Sequence, residues 1–218
     1  MSAAREEILG RIRSALADVP ATERPGDVPV ERDYRRRGKL GAEARIELLA
    51  ERLRDYHAEV RTVAPDRVGE AVAEACGQWG LTEVVVPPEL EAAWRPPGVE
   101  VVEDRGLDPA ELDRIDAAVT GCAAAIAETG TLLLDGRGAS GRRVITLVPD
   151  HHICVVTVDQ VLESVPEGVA ALAPAVIDDH APITLVSGPS ASSDIELSRV
   201  EGVHGPRNLL VLIAGPGF

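Results

Sequence analysis

The chain has 218 residues, 45% of them hydrophobic, which is enough for one large domain, and with aromatics at only 2% its core must be filled by Leu, Val, Ile and Ala. A formal net charge of −14 repels phosphodiester backbones and argues against nucleic acid as a partner. No apolar run approaches the roughly 20 residues that a membrane-spanning helix needs. The first residues, MSAAREEILGRIRSAL, mix acidic side chains into the apolar ones, unlike a signal or transit peptide, so a cytoplasmic protein is expected. Cys76, Cys122 and Cys154 lie far apart with no C-x-x-C pair, so the chain is expected to hold no iron-sulfur cluster or other metal of its own. Cys122 and Cys154 sit in apolar runs, where a small buried hydrophobe needs no further role.

In chain order, residues 3–18 carry Ile8, Leu9, Ile12 and Leu16 at helical spacing and read as an amphipathic helix. Pro20, Pro25 and Pro29 end it and make an extended connector. The run from Tyr34 to Lys39, YRRRGK, has two readings, a solvated basic stretch or an arm that binds an anion. Residues 1–40 are therefore set apart as an arm, and 41–218 as one α/β domain.

That domain opens with a helix over 42–57, with Ile46, Leu49, Leu53 and Tyr56 on one face. A strand over Glu59–Val63, a helix over 66–76, a strand over Glu83–Val86, a strand over 99–102 and a helical turn over 109–114 behind an Asp108 cap follow. Beyond Asp116 the texture changes to closely spaced apolar runs at 117–119, 123–127, 131–134, 144–148 and 153–158, read as strands joined by short turns. A partly helical stretch over 161–172 and strands over 183–186 and 209–214 complete the chain. Helices alternating with short buried strands predict an open mixed, mainly parallel sheet flanked by helices, with antiparallel members extending it.

Three polar clusters sit at strand ends. The first is Glu128-Thr129-Gly130-Thr131, inside IAETGTLLLD, where a glycine free to take positive φ sits between two apolar runs. The second, from Ser187 to Glu196, supplies Gly188, Ser190, Ser193, Asp194 and Glu196, a set of hydroxyls and free N–H groups suited to an anion but without the lysine or spacing of a P-loop. The third is His204-Gly205-Pro206-Arg207, an acid, base or ligand beside a clamp for a carboxylate or phosphate. Each also has a plain reading as a turn or cap. His151 and His152 are adjacent on an extended segment and so point to opposite faces, which argues against one shared metal ion.

Taken together, IAETGTLLL, the Gly-Arg-rich turn, LVPDHHICVV, SGPSASSDIE and GVHGPRNLLVLI resemble the lactate-utilisation protein C family, the LUD-domain proteins. The resemblance implies a fold similar to the superfamily of coenzyme A transferases, ribose phosphate isomerases and sugar-phosphate deaminases, with ligand sites at strand ends. It also implies a place in a system that oxidises L-lactate to pyruvate, with iron-sulfur clusters on partner proteins. One departure stands out, since the family segment often reads Thr-Gly-Ala-Asp where this chain has Thr120-Gly121-Cys122-Ala123.

Two functions follow. One is a non-redox component of a lactate-utilisation system, acting through association with iron-sulfur subunits or through a bound organic anion or phosphate, with self-association left open. The other is a stand-alone enzyme of the coenzyme A transferase or sugar-phosphate type. In that reading Glu128 and His204 are the catalytic groups, and Thr129, Gly130, Thr131, Gly188, Ser190, Ser193, Asp194, Glu196 and Arg207 bind a small anion.

Overall fold

The computed structural model describes residues 3–20, 22–27, 30–189, 191–192, 200–201 and 204–218. The chain divides into two compact units, Met1–Tyr34 and Arg35–Phe218. In the first, α1 (Ala3–Ala15) buries none of its residues and leaves Ile8 and Ile12 exposed, as is Leu16 just past its end.

The second unit is built on six strands, β1 (Glu59–Val63), β2 (Glu83–Val86), β3 (Glu100–Glu103), β4 (Ala117–Thr120), β7 (His151–Thr157) and β12 (Asn208–Ala214). They form one sheet in the order β1-β12-β7-β4-β2-β3, with every neighbouring pair parallel. The antiparallel strands do not extend this sheet. They form a second one, β8-β5-β6-β9, from β5 (Ala124–Ile126), β6 (Thr131–Leu134), β8 (Val161–Leu162) and β9 (Thr184–Val186), in which β5 and β8 are parallel. A short ladder, β10 (Ala191–Ser192) with β11 (Val200–Glu201), stands apart.

Period-two alternation explains how the layers stack. From β7, Ile153 and Val155 face helix α3 (Val68–Trp79), which packs Val68, Val72, Ala75 and Cys76 against them and against Leu210 and Leu212 of β12. Cys154 and Val156, with Val211 and Ile213, face the other way, onto Leu49 and Leu53 of α2 (Ala42–Asp55) and onto Ala125, Leu132 and Leu134 of the second sheet. The outer face of that sheet carries Ala124, Ile126 and Leu133, which meet Leu172 of α5 (Val165–Ile177). Strands buried on both faces read as unbroken apolar runs, as VVV and LLVLI do here.

The helical turn α4 (Pro109–Leu112) starts with a reciprocal cap. Asp108 accepts from the Ala110 and Glu111 N–H groups, each at 2.8 Å, and the Glu111 carboxylate accepts from the Asp108 N–H at 2.8 Å. The strand expected over 144–148 is absent, and a 3-10 helix, Arg143–Thr146, occupies its first part. There the Thr146 hydroxyl donates back to the Arg143 carbonyl at 2.9 Å, while Ile145 is buried in a cluster with Val85, Leu112, Ile115 and Ala118. A short apolar run fits either structure, and this local side-chain bond favours the turn.

Candidate functional site

The first polar cluster is a hairpin turn, as its glycine predicts. The Gly130 N–H donates to Ala127 O at 3.3 Å, and Gly130 takes φ of +59°. A Cβ there would lie 2.7 Å from Arg52 Cβ and 2.9 Å from the Arg52 carbonyl carbon, so glycine alone lets the turn rest on α2. Backbone bonds from Ala127 N–H to Leu162 O at 2.8 Å and from Glu128 N–H to Glu163 O at 3.0 Å fasten it to β8.

The Glu128 carboxylate, about one third exposed at 34%, pairs with Arg35. The same guanidinium donates to Glu163 at 2.9 Å, and the Leu40 N–H donates to the other Glu163 oxygen at 2.5 Å. Glu163 is 5% exposed, so Arg35 compensates a desolvated carboxylate as well as Glu128. The first arginine of the basic run is thus engaged inside the domain rather than wholly solvated.

A hydroxyl chain runs on from the turn. Thr129 Oγ1 is 2.7 Å from Thr131 Oγ1, which is 2.8 Å from Ser187 Oγ. Antiparallel pairing of β6 with β9, in the register Leu132 with Val186, sets Thr131 opposite Ser187. Ser187 lies on the wall of a cavity of about 560 Å³, together with Gly188, His204, Arg143, His152 and Tyr56. Thr146 and Thr184 add two more hydroxyls, and Leu147, Leu185, Val186 and Leu209 supply apolar wall. The cavity opens where β7 and β12 begin, since Leu209 pairs with His152 in the parallel register.

His152 is the buried member of the histidine pair, 1% exposed, and its Nε2 lies 2.8 Å from the Thr120 hydroxyl, itself fully buried. Burial pulls its pKa down to about 4, so the ring is neutral near pH 7. His151 faces the opposite side, with its ring centroid 4.9 Å from that of Trp79 and Nδ1 3.3 Å from Asp116 O. Alternation along β7 thus separates the two rings. Among the described residues no group of three or more His, Cys, Asp or Glu side chains is arranged to hold a metal ion. All three cysteines are buried, and desolvation pushes the Cys76 thiol up to about 11.

Of the residues singled out from sequence, Gly188 and His204 are on the cavity wall, and Thr129 and Thr131 join it through the Thr131–Ser187 bond, while Gly130 shapes the turn and the Glu128 carboxylate goes to Arg35. Arg207 lies elsewhere. Its N–H donates to Asp150 O at 2.9 Å, its guanidinium reaches the Asp150 carboxylate at 3.3 Å, and it borders a separate depression beside His151 and Asp116. Ser190, Ser193, Asp194 and Glu196 fall outside the described residues. Ala123 is exposed on a shallow depression past the end of β4, beside Cys122, Asp135, Arg137 and Ser140. Sequence reasoning missed Tyr56, Arg143, Thr146 and Thr184 as cavity residues. The strand alternation that parted His151 from His152 was the one signal for His152.

The fold and this site define an α/β protein with an open parallel sheet, a second sheet laid on it and a cavity of mixed polar and apolar lining at their junction. The chain belongs to the LUD domain family, whose pattern it matches over residues 46–214. It is similar to Lactate utilization protein C of Deinococcus radiodurans, 49% identical over 166 residues, or 76% of this chain and 77% of that one. An uncharacterized protein of Neisseria meningitidis serogroup B is 28% identical over 98% of this chain and 94% of its own length. The crystal structure of a DUF162 family protein from Deinococcus radiodurans superposes with a TM-score of 0.71 at 41% identity, covering 81% of this chain and all of that one.

Proposed function

We propose that this chain is the non-redox component of a lactate-utilisation system, working beside iron-sulfur proteins that carry the electrons and binding a small organic anion in the cavity lined by Ser187 and His204. The relative named Lactate utilization protein C, at 49% identity, supports the system. The three scattered, buried cysteines suit a component whose partners hold the clusters.

The composition of the cavity wall carries the anion reading. The chain has 36 Asp and Glu residues against 22 Lys and Arg, yet among the described residues no carboxylate lines the cavity. Arg143 supplies one positive charge, and Ser187, Thr146, Thr184 and Tyr56 supply hydroxyl donors. In so acidic a protein, the lack of carboxylates among the described wall residues lowers the local cost of bringing in a negative ligand. A carboxylate would take hydrogen bonds from Arg143 and the hydroxyls, and neutral His152 would add a polar contact without changing the charge.

Two measurements test this. Copurification from the native organism should recover cysteine-rich iron-sulfur proteins, and a chain that always runs alone would sink the system reading. Calorimetry with L-lactate, pyruvate and inorganic phosphate should show binding of at least one that is lost in Arg143→Ala; binding that survives the substitution would move the anion elsewhere. Glu128 as a nucleophile, the alternative enzyme reading, is disfavoured because Arg35 already holds its carboxylate.

A further inference from the structure

His152 is buried in the sheet and is also part of the cavity wall. Its Nε2 is turned back to the Thr120 hydroxyl at the end of β4, 2.8 Å away, while His151 lies against Trp79 on the opposite face.

Hydrogen-bond accounting fixes which ring nitrogen carries the proton. The Thr120 hydroxyl is wholly buried, and among the described residues its hydrogen has one acceptor in reach, His152 Nε2. If Nε2 held the hydrogen instead, the hydroxyl hydrogen would be stranded in the core at the full cost of an unmade buried bond. Thr120 therefore donates to Nε2, and the ring, kept neutral by burial, carries its one hydrogen on Nδ1. Nδ1 bonds to no described residue, yet the buried side-chain atoms left without a partner among the described residues are Arg45 Nε and Arg95 Nε alone. Nδ1 is thus the nitrogen in touch with the cavity.

The wall then offers two donors of different kind. Arg143 brings a full charge, which pairs best with a carboxylate, and the neutral N–H of His152 suits a neutral oxygen such as a carbonyl or hydroxyl. No carboxylate among the described wall residues competes for that N–H. Building on the anion reading above, we propose that His152 Nδ1–H, oriented by Thr120, donates to an oxygen on C2 of a short carboxylate whose carboxyl group meets Arg143, so that the cavity selects 2-oxo and 2-hydroxy acids over plain carboxylates. A site with a fixed donor disfavours the analogue that lacks the matching oxygen, because the donor is then left unpaired.

The test is calorimetry on the full chain with pyruvate, L-lactate and propionate, which share a carboxylate and differ at C2. At least one of pyruvate and L-lactate should bind about fivefold or more tightly than propionate. His152→Gln puts its amide nitrogen near the Nε2 position and should erase this gap, whereas His152→Asn puts it near Nδ1 and should restore much of it. Thr120→Val should narrow the gap and leave propionate binding unchanged. A cooperative thermal melt shows that each variant is folded, and NMR of the imidazole nitrogens in the unliganded parent should find the hydrogen on Nδ1. A hydrogen on Nε2, or a gap that survives His152→Gln, overturns the proposal. Equal binding of all three acids that is lost in Arg143→Ala overturns it while leaving the anion reading in place, and binding of none removes both.

Discussion

The guanidinium of Arg35 meets the carboxylate of Glu128, so the acidic residue most exposed to a catalytic reading is held by a cation from the basic run near the start of the domain. The same arginine compensates Glu163, which is nearly buried, and this second contact carries more energy than the first. Replacing Arg35 by Ala should lower stability by about 1–2 kcal/mol, because half of the Arg35 side chain is solvated and Leu40 still donates to Glu163. Glu128→Gln should cost less than about 1 kcal/mol, since its side chain is 34% exposed. Urea denaturation at pH 7 reads both. A larger loss for Glu128→Gln than for Arg35→Ala would show that the clasp is not organised around Glu163.

His152 gives the fold a pH dependence whose sign follows from its burial. Its folded pKa is lowered from 6.5 to about 4, so between those values the unfolded chain binds a proton that the folded chain refuses. Stability should therefore be full above about pH 6.5 and fall as the pH drops toward 4, by an amount on the order of 3 kcal/mol. Asp104 and Asp116 act in a lower window. Burial raises the Asp104 pKa, but hydrogen bonds from Arg142 and from the Gly106 and Leu107 N–H groups outweigh it, and Asp116 is lowered first by the Thr82 N–H. Their contribution is present above the usual carboxylate range and is lost below it. Comparing His152→Gln with the parent in melts from pH 7 to pH 4.5 isolates the histidine. Parallel curves for the two proteins would remove His152 as the source.

Thr131 joins the turn to the cavity, and its hydroxyl is the only atom that does so among the described hydrogen bonds of that cluster. Thr131→Val keeps the shape and removes the donor and acceptor, leaving Thr129 and Ser187 without their shared partner. A loss of about 1–2 kcal/mol is expected for a site this buried. Calorimetry on the variant should also show weaker anion binding, since Ser187 on the wall loses its anchor. Unchanged affinity with reduced stability would make the chain of hydroxyls structural only.

Much of this architecture is legible in the sequence, because the signals that carry it are local. Glu59–Val63, Glu83–Val86 and the strand over 131–134 have the bounds that their apolar runs indicate, and Asp108 caps α4 as its side chain predicts. The second sheet was not legible, because apolar runs reveal strands but not their partners. Arg35 was missed for a related reason, as it lies 93 residues before Glu128 and no local pattern links a solvated-looking basic run to that partly exposed carboxylate or to the buried Glu163. The cavity gathers Tyr56, Arg143, His152 and His204 from four separate stretches, which only the folded topology brings together.

Arg142 and Arg143 are neighbours with separable tasks, and substituting each in turn distinguishes fold from function. Arg142 makes a two-pronged contact with Asp104, Nε to Oδ2 at 2.7 Å and Nη2 to Oδ1 at 2.5 Å, and also donates to Leu107 O at 2.8 Å. Asp104 is 6% exposed, so removing its partner strands a buried carboxylate, relieved only by the Gly106 and Leu107 N–H groups at 3.2 Å. Arg142→Ala should therefore destabilise the protein by about 3 kcal/mol. Arg143 faces the cavity and is exposed, so Arg143→Ala should move stability by less than about 0.5 kcal/mol while abolishing anion binding. Denaturation and calorimetry on the two variants give the crossed result that this assignment requires. If Arg143→Ala unfolds the protein as readily as Arg142→Ala, its guanidinium belongs to the scaffold and the cavity has lost its cation.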